Sequence, residues 1–305
     1  LDAVVAQAPA ALEAAQAARD EGAWVAVTTV LARAQARRGA LDQAVTLMQE
    51  TAPRAEALGD DAACTHHGVL GGILQTALRV GEARLALQKS LALALKLDRH
   101  ADSVNLWHNL AICEHFIGRA HDALPLLQKS HEAAQRHGAE GVATQHLAAT
   151  MAAVLLDLNR YRDAWPWIER AEADLRRHAP AFVPVAGNLR ARWYLELGQA
   201  ARVGPALAAT PTDAGTPAFV AAYRALMQAR HQQALGHDPA AALSQALTQA
   251  RASGRRFVEW EVQLGAAALG QAALAGDLQA LAREARQHGF VAHEAAARAL
   301  GSDGA

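Results

Sequence analysis

Cys64, His66 and His67 stand close together, and thiolate and imidazole are the donors that suit borderline and soft metal ions. No partner set follows at the spacing of a closed tetrahedral site. His108 and His115 lie seven residues apart, two turns of a helix, with Ile112 between them, and they close no shell either. No metal and no cofactor is therefore expected. Nor does a catalytic set emerge: there is no Ser/Gly elbow and no pair of carboxylates placed for acid–base work. Glu259 and Glu261 fall on opposite sides of a predicted helix, where solvation is the expectation. Met48, Met151 and Met227 fit core positions. Trp165 and Trp167 flank Pro166 and are expected to pack between second helices, the alternative being an exposed aromatic patch for a partner. The chain is not expected to be an enzyme. A catalyst hidden in the fold would need a buried cluster of strongly shifted titratable groups in a pocket.

The elements that would position these side chains repeat. Residues 104–138 read as two helices around a turn at Gly118–Arg119, with Trp107, Leu110 and Ala111 on one face of the first and Ala123, Leu127 and Ser130 on one face of the second. Such a hairpin cannot bury its apolar face alone. HDALPLLQKSHEAAQRHG at 121–138 is matched by RDAWPWIERAEADLRRHA at 162–179, and ARLALQKS at 83–90 by ALPLLQKS at 123–130. GALDQAVTLMQET at 39–51 aligns with 118–130 without a gap. A small residue recurs at Ala44, Ala83, Ala123 and Ala164, where two helices can approach closely. Turn signals at Gly39, Gly81, Gly118, Asn159, Gly198, Gly236 and Gly276 carry a period near 40 to the end. The fold class expected is all-α, an α-solenoid (a right-handed superhelix) of about seven helical hairpins.

Within that frame Pro125 and Pro166 are read as first-turn prolines, where a missing N–H costs nothing. Asp122 and Asp163 suit the N-cap or the positive end of the dipole. His137, His178 and His288 suit last-turn capping. Leu91, Leu93, Leu95 and Leu97 alternate like a strand but continue a helical pattern, so a buried helix is expected. Residues 1–22 read as the second helix of a truncated repeat, with upstream protein missing, and 23–305 as one array with a possible hinge at TPTDAGTP, 210–217. The last hairpin is expected at 256–275 and 277–288, before a closing helix near 291–300.

Hydrophobic residues make up 52% of the 305, largely through alanine, and only 5% are aromatic, which favours helix over sheet. The 29 basic and 30 acidic residues leave a net charge of −1, which argues against direct nucleic-acid binding by this segment. Two cysteines form no disulfide framework, as in a reducing compartment, and no apolar run or leader pattern appears. A cytoplasmic location is expected.

Trp107-x-Asn109-Leu110-Ala111, Gly118 and Ala123 resemble the tetratricopeptide repeat (TPR) family, as do Leu70-Gly71 with Ala83 and Met151-Ala152 with Ala164, though His67 stands where tryptophan is usual. The later units depart further. Repeats near 40 residues, rather than the family's usual 34, look like the C-terminal arrays of large bacterial transcription regulators of the maltose-activator-like or SARP type. The resemblance implies a sensing or protein-docking array in a signalling or transcription regulator, a free-standing adaptor being the alternative.

In such arrays the first helices line the binding groove. That places Asn105, His108, Asn109, Ile112, His115 and Phe116 of the central unit on the ligand face. Arg33, Arg37, Gln75, His146, Asn188, Arg192, Tyr223 and Arg230 join them from neighbouring units. Arg192 is expected to meet a ligand carboxylate. The expected partner is a protein or peptide, or a small polar molecule. A homodimer through an exposed end helix is the further expectation, because arrays need polar caps.

Overall fold

Ala44, Ala83, Ala123 and Ala164 are each 0% exposed, so the recurring small residue is fully buried in all four units. The computed structural model describes residues 2–138 and 144–302, and every regular element among them is helical. The helices follow one another in antiparallel pairs: α1 (Asp2–Ala17), α2 (Glu21–Arg37), α3 (Leu41–Ala57), α4 (Asp60–Thr76), α5 (Val80–Lys96), α6 (His100–Phe116), α7 (Ala120–His137), α8 (Leu147–Asp157) and α9 (Tyr161–His178). Then come α10 (Val183–Glu196), α11 (Val203–Ala208), α12 (Ala218–Ala234), α13 (Ala240–Ala252), α14 (Arg256–Ala268), α15 (Ala272–Ala275), α16 (Leu278–Gln287) and α17 (Val291–Ser302). The Leu91–Leu97 stretch is helical, within and just after α5. None of the helices among the described residues is long and apolar enough to cross a membrane.

One device ends most of these helices. The N–H of Arg79 reaches back to Leu74 O, Arg119 to Glu114 O, Arg160 to Leu155 O, Gln199 to Tyr194 O and His237 to Gln232 O. The residue before each of these donors is left-handed, namely Leu78, Gly118, Asn159, Gly198 and Gly236. This is the six-to-one closure of a Schellman turn. It corrects one sequence expectation: the α4–α5 turn is made by Leu78 at φ 61°, and Gly81 lies inside α5. Pro125 and Pro166 are the sixth residues of α7 and α9, beyond the first turn, so each removes one intrahelical bond. Asp163 serves the first turn of α9 by accepting from Arg160 at 2.7 Å, while the N-cap is Arg160 itself. The expected first helix at 256–275 is broken at Gly270, leaving α14 and the short α15.

The chain divides into two compact units, residues 1–113 with 128–139, and 114–127 with 140–305. In the first, α1 packs on α2, α2 on α3 and α4 on α5. Ser90 Oγ and Ser130 Oγ tie their helices to the carbonyls of Cys64 and Val104. In the second, a core of Val203, Ala225, Leu243, Ala246, Val258 and Val262 joins α12, α13 and α14. A smaller core of Ala148, Ala171, Leu175 and Ala186 joins α8, α9 and α10. The turn after α6 seats on the far end of the same unit: Phe116 lies tilted 4.9 Å from Phe257 and stacks 5.9 Å from Phe290, and a Cβ on Gly118 would run into Ala292.

Candidate functional site

The second unit carries a ladder of charges across consecutive first helices. His115, in the last turn of α6, donates to the carboxylate of Asp157 at the end of α8. Arg192 of α10 holds the other oxygen of Asp157 at 2.6 Å and approaches Glu196 at 3.8 Å. Glu196 accepts from Arg230 of α12 at 3.0 Å. These five side chains keep 23–32% of their exposure, so the ladder is set into the surface without being sealed. Burial pushes the Asp157 carboxyl up, but the His115 hydrogen bond and the Arg192 charge outweigh it and hold the group below its usual range.

Beside this ladder lies a second group. Glu261 of α14 takes His293 of α17 at 3.5 Å and the Tyr223 hydroxyl of α12. Glu261 retains 39% of its side-chain exposure. Burial raises Glu261, and the His293 hydrogen bond and charge more than reverse it, so the carboxylate stays ionised. Burial, followed by the Glu261 charge, pushes the Tyr223 hydroxyl well up, so it stays protonated. Arg255 lies over the Phe219 ring at 4.3 Å.

The residues singled out from sequence spread over both units. In the first, Arg33, Arg37 and Asn105 are exposed, Asn109 and Ile112 are half-buried, and His108 is buried at 8% exposure. Gln75 donates to the Asn109 carbonyl at 3.2 Å, which joins α4 to α6. In the second unit, His115 and Arg192 meet on one carboxylate. His146 is half-buried against Phe182, and burial lowers its pKa. Asn188 is 8% exposed and donates to the Val220 carbonyl at 3.1 Å, a packing role between α10 and α12. Arg192, expected to await a ligand carboxylate, is already held by Asp157 and Glu196.

Asp157, Glu196 and His293 were not singled out from sequence, and Glu261 was expected only to be solvated. A signal existed for the first two. Asp157 precedes Arg192 by 35 residues and Glu196 precedes Arg230 by 34, a recurring spacing of opposite charges from the end of one first helix to the last turns of the next. Glu259 and Glu261 do diverge on their helix but neither is simply solvated: Glu259 takes Arg251 at 3.0 Å and Arg256 at 2.5 Å. Trp165 packs on Trp193 of the following first helix at 4.6 Å, rather than between second helices. Of the early metal candidates, His66 Nε2 donates to the Met48 carbonyl at 2.9 Å and His67 meets Glu56 at 3.2 Å, while Cys64 contacts Ser90. Both cysteines are buried and in no disulfide, and Gln75 donates to the Cys113 sulfur at 3.5 Å.

No family model and no curated protein matches this chain. Among solved structures it is similar to BtubC (BKLC) from P. vanneervenii, with a TM-score of 0.59 over 68% of this chain and 89% of that one, at 18% identity. The likeness is one of fold. This chain shares the helical-repeat fold of that structure, and its site must be argued from its own residues.

Proposed function

We infer that this chain is a non-enzymatic binding module whose protein or peptide ligand lies along the first helices of the second unit. The observation that carries the reading is the ladder from His115 through Asp157, Arg192 and Glu196 to Arg230. It sets donors and acceptors of both signs in fixed order on four successive first helices and leaves each about a quarter to a third exposed. A rigid row of this kind suits an extended chain, whose backbone offers donors and acceptors at regular intervals. The electrostatics support binding over catalysis. Asp157 and Glu261 are held below the carboxylate range and Tyr223 above the phenol range. A general acid or base is tuned toward the working pH, and these shifts run the other way.

The repeat length near 40 residues supports placing the module in a larger bacterial signalling or transcription regulator, and two buried cysteines in no disulfide support a cytoplasmic setting. The test is selection of peptides from a phage-displayed random library on the full chain, followed by titration of the selected peptide. Glu196→Gln with Arg230→Gln should weaken it by at least about tenfold, 1.4 kcal/mol, with an unchanged helical spectrum. Arg33→Ala with Arg37→Ala should leave it unaltered. The opposite pattern would move the ligand to the first unit.

A further inference from the structure

The loop after α11 borders a separate, partly open cavity of about 340 Å³ in the second unit, a size that accommodates a small molecule. Val183, Pro184 and Pro211 give it an apolar wall, Thr210 forms part of its lining, and Arg176 and Asp213 stand on it with opposite charges. The side chain behind Thr210 is unusual. Arg224 is 6% exposed and donates to the carbonyls of Leu207 and Thr210, and to Thr210 Oγ1 at 3.0 Å. Its Nε is buried without a partner, and among the described residues no carboxylate pairs with it. A guanidinium stays charged even when desolvated, so among the described residues this cation is offset by carbonyl dipoles at the end of α11 and by the Thr210 hydroxyl.

The neighbouring charges do not cancel it. Glu172 is shared between Arg176, at 2.6 Å, and Arg190. Asp213 spends its Oδ1 on the Gly215 N–H at 2.9 Å and the Thr216 hydroxyl at 3.0 Å. Three guanidiniums (Arg176, Arg190, Arg224) are thus set against two carboxylates (Glu172, Asp213) in this region, and of these Arg176 and Asp213 line the cavity itself. A buried charge acts over a longer range than a solvated one, because little water screens it.

We propose that this cavity binds a small organic anion with an apolar body, its acidic group toward Thr210 and Arg176 and its body against Val183, Pro184 and Pro211. Such a site would make the chain responsive to a metabolite of that class independently of any peptide on the first helices. The probe is 1-anilinonaphthalene-8-sulfonate, an aromatic anion whose fluorescence reports burial, compared with N-phenyl-1-naphthylamine, the same skeleton without the charge. Saturable binding of one sulfonate dye per chain is expected, at least about tenfold tighter than the neutral dye. Ala209→Trp should fill the cavity and abolish it. Arg176→Gln should weaken binding by about threefold and Asp213→Asn strengthen it by a similar factor, since each changes one charge at the wall. These two exposed substitutions leave the core untouched, so they decide the matter even where the tryptophan variant folds poorly. Equal affinity for both dyes, no saturable binding, or the same response to Arg176→Gln and Asp213→Asn would overturn the proposal.

Discussion

Ser90 Oγ donates to the carbonyl of Cys64 at 2.7 Å, and forty residues later Ser130 Oγ does the same to Val104 at 2.8 Å. Both serines are buried and close the QKS segments that mark the repeat in the sequence. The bond fastens a second helix to the first helix of its own hairpin. Thr51, at the matching position one unit earlier, bonds to its own helix at Leu47 instead, so the tie belongs to the central hairpins. Ser90→Ala and Ser130→Ala should each cost about 1 kcal/mol, the usual net worth of one such bond. Urea unfolding should show it, with the serine ties of the two hairpins adding independently.

Two adjacent glycines of α4 should respond in opposite directions. A Cβ on Gly71 would lie 2.6 Å from Leu87 Cγ and 3.3 Å from the Leu87 backbone, while one on Gly72 meets nothing within 4 Å. Gly71→Ala should destabilise by about 1–3 kcal/mol through overpacking. Gly72→Ala should stabilise by about 0.5–1 kcal/mol, because glycine is a poor helix former. Thermal melts of the pair would check this, and equal shifts would mean that α4 and α5 are not in close approach here.

The tryptophans separate by burial. Trp260 is 0% exposed and donates to Glu284 at 3.2 Å, whereas Trp107 is half-buried with Lys129 4.7 Å over its ring. Trp260→Ala should cost about 3–5 kcal/mol. Trp107→Ala should cost clearly less, although Trp107 shares the apolar face of Leu110 and Ala111. Denaturant midpoints at constant slope are the measure.

Acid should weaken the second unit through Asp157. Its folded pKa lies below the unfolded value of about 4. The ionised pair therefore adds stability that is fully present above the unfolded pKa and is lost as pH falls through the folded one. Asp157→Asn should lower stability at neutral pH and flatten its decline on acidification. His66 acts earlier: burial lowers its pKa despite its bond to the Met48 carbonyl. Its stability contribution is full above about pH 6.5 and falls as pH drops toward the folded value. Unfolding free energies of His66→Gln, Asp157→Asn and the parent chain, taken across this range, would separate the two contributions.

Helix, hairpin and period were legible in the residues themselves, because 3.6-residue spacing, recurring alanine and left-handed turn residues act over a few positions of chain. The buried Ala44, Ala83, Ala123 and Ala164, and the turns at Gly118, Asn159, Gly198 and Gly236, stand where spacing put them. Choosing Leu78 over Gly81 as the α4–α5 turn took the backbone itself, since one left-handed residue is an affordable local strain when the Schellman bonds close over it. The polar site was less legible. His115 and Arg192 were read from the chain as ligand-facing, but the carboxylate that joins them comes from a third helix. Glu261, Tyr223 and His293 likewise arrive from three helices. Local periodicity sets which way a side chain leaves its helix. Which side chains then meet depends on how successive hairpins pack, and burial and partner charges, both products of that packing, decide whether a cation such as Arg192 is spent or one such as Arg224 meets no carboxylate among the described residues.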